Sequence, residues 1–260
     1  MGTKITPYTQ PEEESKKAQV ARMFDNIAHS YDFLNHFFSL GIDVLWRKKA
    51  MRMLKTHLST QQSTDEVHLM DMATGTADFA LEAMRSGSPN LRVTGVDISP
   101  GMLAIGRKKV ERKGWTDRVQ LIEGDSADLP FEDGTFDAYT VAFGVRNFEK
   151  LEAGLTEMHR ALKPGGMGVV LEFSKPTVFP LKQIFHFYFH TLMPGVGKLV
   201  SKDAAAYSYL PESVEAFSEG DEFMQIMQKC GYRQCQMHRL TGGIASIYTC
   251  LLYTSPSPRD

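Results

Sequence analysis

The sequence predicts an α/β protein built on a Rossmann-like, mostly parallel sheet, and three observations carry that prediction. The apolar run Val67 to Met72 passes at once into Ala73-Thr74-Gly75-Thr76-Ala77-Asp78 and then into the helix formers Phe79, Ala80, Glu82, Ala83 and Met84. Strand, tight glycine turn and helix make the first unit of a nucleotide-binding sheet. About one β-α unit later, Leu91 to Asp97 reads as a second strand ending on a carboxylate, which can accept both ribose hydroxyls of an adenosine ligand. Strand and helix patterns then keep alternating, as a parallel sheet requires.

Taken in order, residues 1–14 carry two prolines and an acidic run and read as a flexible N-terminus. From Ser15 the spacing of Val20, Phe24, Ile27 and Tyr31 is helical. The stretch Tyr31 to Arg47 is dense in aromatics and punctuated by Asp, Asn, Ser and Gly, unlike a plain amphipathic helix. Its aromatics either cap a site or fill the seam between an N-terminal helix pair and the sheet. Residues 15–60 are accordingly expected to form a helical cap, with 61–65 a polar linker into a domain spanning 61–250. A second helix starts at Pro100 after Ser99 as N-cap. Val119 to Ile122 is the third strand and Phe136 to Phe143 the fourth. A helix carrying Leu151, Leu155, Met158 and Leu162 is expected to stop at Lys163-Pro164-Gly165-Gly166, before a fifth strand from Met167 to Phe173.

There the alternation breaks. A substrate-side insertion at about 175–210 contains an apolar stripe, Leu181, Ile184, Phe185, Tyr188, Phe189 and Leu192, on a helix running to Met193. A last helix, Glu222 to Lys229, leads into Tyr232 to Leu240 and Ile244 to Cys250, which are placed to pair as an antiparallel hairpin and bring the sheet to seven strands. Residues 251–260 resemble translated adapter sequence and are expected to be a non-native tail.

Composition narrows the function classes. The chain has 260 residues, 42% apolar and 23% charged, which is ordinary for a globular protein with a sizeable core. A net charge of −2 gives no reason to expect nucleic acid as a partner. Three cysteines, Cys230, Cys235 and Cys250, offer neither metal-ligand spacing nor an even disulfide set, which suits a reducing cytoplasm. No segment approaches the ~20 apolar residues of a membrane span.

Four strand ends point the same way: Asp71 with the turn through Gly75 and Thr76, Asp97, Asp125-Ser126, and Phe143 to Asn147. Ligands of an open parallel sheet sit beyond these carboxyl ends, at the switch point. Asp125 and Ser126 suit an adenine, because a carboxylate accepts from the amino group and a backbone N–H donates to a ring nitrogen. Arg146-Asn147 brings donors to the mouth of the pocket, unless the arginine pairs with a nearby carboxylate.

The residues quoted so far, with their flanks, resemble the ubiquinone/menaquinone biosynthesis C-methyltransferases, class I enzymes that use S-adenosylmethionine (SAM). The resemblance spans about Val20 to Thr249. It rests on Tyr31-Asp32-x-Leu34-Asn35 with Ser39 and Trp46-Arg47, on Phe143 to Asn147, on Arg160 to Gly166 continuing to Leu171-Glu172-Phe173-Ser174, and on Asp203 with Tyr207, Tyr209 and Leu210. It implies SAM contacts at Thr76, Asp97, Asp125 and Ser126, with a backbone-only contact at Ala142, where many relatives have Ser. It implies that Asp203, Tyr207 and Tyr209 face the acceptor. Asp43 stands where His is common, and Ala77 where Gly is usual; the alanine methyl is expected to be harmless at a negative φ.

The implied chemistry is methyl transfer to a ring carbon of a prenylated quinol. In-line placement of the reactants supplies much of such a rate, and a base, direct or through water, adds ~10²–10⁴-fold. Arg146, Asn147 and Tyr31 are the expected catalytic residues, the first two holding quinol oxygens or a relaying water. The 181–193 stripe lines a tail tunnel, rests on a membrane surface as a peripheral contact, or packs in the core. The form of residues 140–148 resembles members from menaquinone-only bacteria and favours demethylmenaquinol over the ubiquinone-pathway benzoquinol. Nothing in the sequence excludes a homodimer. Two other classes share the β-α-β start: a nicotinamide oxidoreductase, which wants a glycine-richer turn and a Tyr/Lys pair not found here, and a non-catalytic subunit of the same fold, which would have lost the cofactor positions.

Overall fold

Seven strands form one sheet in the order β3-β2-β1-β4-β5-β7-β6. The computed structural model describes residues 5–8, 14–39, 41–60, 66–85, 89–188, 191 and 204–252. The strands are β1 (Val67–Met72), β2 (Leu91–Asp97), β3 (Val119–Glu123), β4 (Phe136–Ala142), β5 (Leu162–Phe173), β6 (Arg233–Leu240) and β7 (Ala245–Leu251). All neighbours are parallel up to β5; β7 pairs antiparallel with both β5 and β6. After β3 the chain crosses to the far side of β1, so the switch point lies between β1 and β4. That crossing leaves a crevice at the carboxyl ends of these two strands.

The sheet is covered on both faces, as its nearly uninterrupted apolar strands demand. On one face lie α2 (Ile42–Thr60), α3 (Asp78–Arg85) and α4 (Pro100–Arg112), whose Trp46, Leu54, Leu81 and Leu103 pack on Leu69, Val93 and Val169. On the other, α5 (Leu151–Ala161) and a late helix, Asp221–Lys229, bring Leu155, Met158, Phe223 and Met227 onto Met70, Tyr139 and Tyr248. Ser99 caps α4 as expected, its side chain accepting from the Met102 N–H at 3.2 Å.

Several local expectations are corrected. The aromatic stretch Tyr31 to Arg47 is helical on both sides of a short break: α1 (Lys16–Phe38) carries the chain through its Asp32 and Asn35, and α2 resumes at Ile42. Lys163-Pro164-Gly165-Gly166 does not merely end a helix: β5 begins at Leu162, which pairs with Phe136, and only the bulge between Phe136 and Ala138 marks the irregularity. Of the expected tail, Leu251 pairs with Met167 and Leu252 exchanges backbone bonds with Gly165 and Gly166, while 253–260 lie outside the described residues. Ala77 sits at φ 67°, the left-handed region that favours glycine, so its methyl is accommodated under strain. Of the 181–193 stripe, α6 (Leu181–Phe187) is helical with no buried residue. Phe185 and Tyr188 pack toward Val214 and Leu210, while Ile184 and Phe187 face outward. Phe189, Leu192 and Met193 lie outside the described residues, as does Asp203. The helix α7 (Ala204–Ala216) follows.

Candidate active site

A cleft of about 670 Å³, partly open to solvent, occupies the predicted crevice. Because strand order fixes the order of strand ends, the cleft is graded along the sheet edge. Asp125 and Ser126 follow β3, Asp97 ends β2, Ala73 and Gly75 follow β1, and Ala142 ends β4 with Phe143, Gly144 and Asn147 beyond it. The roof is α1, which contributes Lys17, Val20, Phe24 and Tyr31, and the β4 side is completed by Phe148 and Glu149.

Asp97 is buried, and its carboxylate accepts from the Gly75 N–H at 2.8 Å and the Ser99 N–H at 2.9 Å. Burial pushes its carboxyl up to about 6, against the pull of those backbone bonds. A carboxylate offers about four acceptor sites, so capacity remains for hydroxyl donors. Asp125 holds the Ala127 N–H at 3.0 Å and an ion pair with Lys17 at 2.9 Å. Ser126 is buried in the same wall. At the other end Tyr31 meets Phe24 edge-on at 5.9 Å, and Phe143 stacks against Phe173 at 4.6 Å and Trp46 at 6.2 Å.

Tyr31, Gly75, Asp97, Asp125, Ser126, Ala142 and Asn147 are therefore brought together on one cleft. Asp71, Thr76, Arg146 and Tyr209, also expected at the site, are not in its lining. Asp71 lies beneath the glycine turn, accepting from Thr74 and Thr140 hydroxyls at 2.6 and 2.7 Å, with its carboxyl raised by burial to about 6. It braces the turn from below. Thr76 donates to Asp32 at 2.5 Å and accepts from Lys109 at 2.9 Å, behind the loop. Arg146 is turned away from the lining: its guanidinium pairs with Glu172 at 2.7 Å, donates to the Phe143 carbonyl, and reaches Ser213 at 3.3 Å. Removing either member of that pair would strand a buried charge, at about 3–5 kcal/mol. Tyr209 stands behind Asn147, donating to its Oδ1 at 3.1 Å. Tyr207 lies on α7.

Asp43 is a buried structural acid, paired with Arg47 and accepting from Ser39 at 2.5 Å. Sequence reasoning missed Lys17, Val20, Phe24, Phe148 and Glu149. Val20 and Phe24 share a helix face with Tyr31, and that spacing was the available signal. Glu172 sits in a quoted motif, but nothing local indicates that it pairs with Arg146.

Solved structures of similar fold define the class. A SAM-dependent methyltransferase from Thermotoga maritima, described as a possible histamine N-methyltransferase, superposes with TM-score 0.59 at 19% identity, covering 89% of this chain and 98% of that one. A SAM-dependent methyltransferase from Aquifex aeolicus does so with TM-score 0.55 at 15% identity, covering 78% and 89%. The fold is that of the SAM-dependent methyltransferases. The chain belongs to the ubiE/COQ5 methyltransferase family, whose model matches residues 12–251. Demethylmenaquinone methyltransferase of Bacteroides fragilis is 46% identical over 95% of this chain and 96% of its own length. That of Porphyromonas gingivalis is 42% identical over 94% and 96%. A ubiquinone/menaquinone biosynthesis C-methyltransferase of Geotalea daltonii is 41% identical over 90% and 96%. The chain is thus a member of a methyltransferase family, on a fold whose solved representatives use SAM as methyl donor.

The residues present fit that donor. Gly75, at φ 55°, has no atom within 4 Å of where a Cβ would stand, so its backbone borders open space. A Cβ on Gly144 would fall 2.4 Å from that of Ala73, so the turns after β1 and β4 approach as closely as they do only because Gly144 has none. These turns and the Asp97–Asp125 wall border the same cleft.

Proposed function

We propose that the enzyme methylates a ring carbon of a prenylated quinol, converting demethylmenaquinol to menaquinol, with the ubiquinone-pathway benzoquinol as the less favoured acceptor. The observation that carries this reading is the grading of the cleft: carboxylates and a hydroxyl at the β2–β3 end, aromatic rings at the β4 end. The names of the Bacteroides and Porphyromonas relatives support the naphthoquinol.

SAM supplies an electrophilic methyl group on a sulfonium sulfur. Asp97 is placed to accept the ribose hydroxyls, Asp125 and Ser126 to hold the adenine, and the Gly75 turn to let the chain approach closely. The acceptor ring then lies against Tyr31, Phe143 and Phe148, with Asn147 supplying a polar contact to a ring oxygen. Its aromatic carbon would take the methyl as the carbon–sulfur bond of SAM breaks to leave a thioether, and would pass its proton to a water in the cleft, restoring aromaticity. The roof α1 narrows the access of water to this arrangement, favouring transfer over hydrolysis. From Phe143 the apolar track continues through Phe173 to Phe185 and Tyr188 of the α6 region. That track suits a prenyl tail. The exposed Val178, Phe179, Ile184 and Phe187 beside it suit peripheral contact with the membrane where such a tail resides.

The test is an initial-rate assay in detergent with matched demethylmenaquinol and demethylated benzoquinol acceptors. A clear preference for the naphthoquinol is expected. A higher kcat/KM on the benzoquinol would overturn the assignment.

A further inference from the structure

The carboxamide of Asn147 is held from both ends. One end lies 3.5 Å from the Phe143 carbonyl, which can only accept, so that end is Nδ2. The opposite orientation would set two acceptor oxygens against each other. Oδ1 therefore faces Tyr209, whose hydroxyl donates to it at 3.1 Å. The Phe143 carbonyl already receives the guanidinium of Arg146, which Glu172 fixes in turn at 2.7 Å. A contact at 3.5 Å to a carbonyl so occupied is near the limit of a hydrogen bond. Nδ2 thus keeps donor capacity, and Asn147 lines the cleft.

We propose that Tyr209 is a positioning residue: its hydroxyl locks the Asn147 carboxamide with Nδ2 toward the cleft, so that Asn147 donates to an oxygen of the aromatic acceptor. A neutral amide suits that task, because it stabilises a phenolate without protonating it, and the ring stays electron-rich. Tyr209 itself does not touch the acceptor. It is anchored for this work on α7, with Ala206 beside it in the apolar cluster that α1 shares through Val20, Met23 and Ile27. The inference rests on the quinol reading only for the oxygen to be held; the orientation of Asn147 does not depend on which quinol is used.

A double-mutant cycle on the full chain tests this, using Tyr209→Phe, Asn147→Ala and their combination. Tyr209→Phe is expected to lower kcat/KM for the acceptor about tenfold, the scale of one misdirected hydrogen bond, with SAM affinity within about twofold. In the Asn147→Ala background the same change should have no further effect. Additive losses, or a loss in SAM affinity matching the loss in rate, would overturn the proposal. The acceptor used is whichever quinol the wild type turns over faster, so a failed naphthoquinol preference leaves the cycle intact. A readout independent of turnover comes from the Asn147 side-chain NH₂ pair in ¹⁵N-labelled protein, assigned by its loss in Asn147→Asp. Tyr209→Phe should shift that pair and bring its two protons closer together, and an unmoved pair would overturn the proposal.

Discussion

Asp97 combines two demands that a sequence does not reveal together. It organises the turn by accepting from Gly75 and Ser99, and it stands in the cleft where ribose hydroxyls are to be received. Its carboxyl is raised to about 6 by burial, with the carboxylate of Asp25 contributing in the same sense. A value above that of the unfolded chain means that this group stabilises the fold when protonated. That contribution is complete below about pH 4 and is lost as pH rises through 6. Binding has the opposite sign, since only the carboxylate accepts two hydroxyls. SAM affinity should therefore weaken about tenfold between pH 7 and 5, measured by isothermal titration. Asp97→Ala should cost well over ~1.5 kcal/mol of SAM affinity and flatten that profile. A wild-type affinity constant from pH 8 to 5 would separate Asp97 from the cofactor. Ala77 shows the converse problem: its identity was plain in the sequence, but the φ of 67° that makes it costly is set by the turn's closure.

At the scale of elements, what was legible depended on sequence separation. β1 and β2 follow their apolar runs, and the carboxylates at their ends fall where the pattern put them. The length of α1 and the start of β5 did not follow, because packing on α4 overrode the turn-like residues at 32–35 and pairing with Phe136 drew Leu162 into the sheet. The helical cap was expected, but the ties that hold α1 as a roof were the least legible feature, since they span great distances along the chain. The Lys16 N–H reaches Glu149 at 2.9 Å, Asp25 takes the Ser99 hydroxyl at 2.6 Å and the Gly101 N–H at 2.8 Å, and Asp32 pairs with Lys109 at 2.5 Å. These ties differ in worth. Lys17–Asp125 is an exposed pair, worth ~0.2–1 kcal/mol. Asp25 satisfies an N–H at the start of α4, so its loss costs about 1–2 kcal/mol. Asp25→Ala should accordingly raise the dissociation rate of SAM about tenfold, while Lys17→Ala changes it less than about threefold. Stopped-flow displacement of SAM measures both. Equal, small effects would mean that α1 does not govern cofactor release.

For the whole molecule, the question is how a protein of net charge −2 meets an acceptor with a prenyl tail. No helix among the described residues is long and apolar enough to cross a membrane. Val178, Phe179, Ile184 and Phe187, exposed by 56–78%, are the large apolar side chains the fold leaves uncovered around α6. Full burial of such a side chain is worth ~1.5–3 kcal/mol. Half-insertion of four therefore gives about 3–6 kcal/mol, equivalent to dissociation constants from millimolar to tens of micromolar at roughly 1 M standard state. Within α6 only Lys182 and His186 are basic, so that helix has little electrostatic attraction to add. Recruitment to empty neutral vesicles should thus be weak, and vesicles doped with a prenylated naphthoquinol should retain more protein, because the cleft then adds its own affinity. Phe179→Ser with Phe187→Ser should reduce cosedimentation with doped vesicles severalfold, while turnover of a short-tailed acceptor in detergent stays within about twofold, since neither side chain lines the cleft. Tight, salt-resistant binding of the wild type to empty vesicles would make this stretch an insertion element in its own right. Undiminished cosedimentation of the double variant would place the membrane contact elsewhere on the molecule.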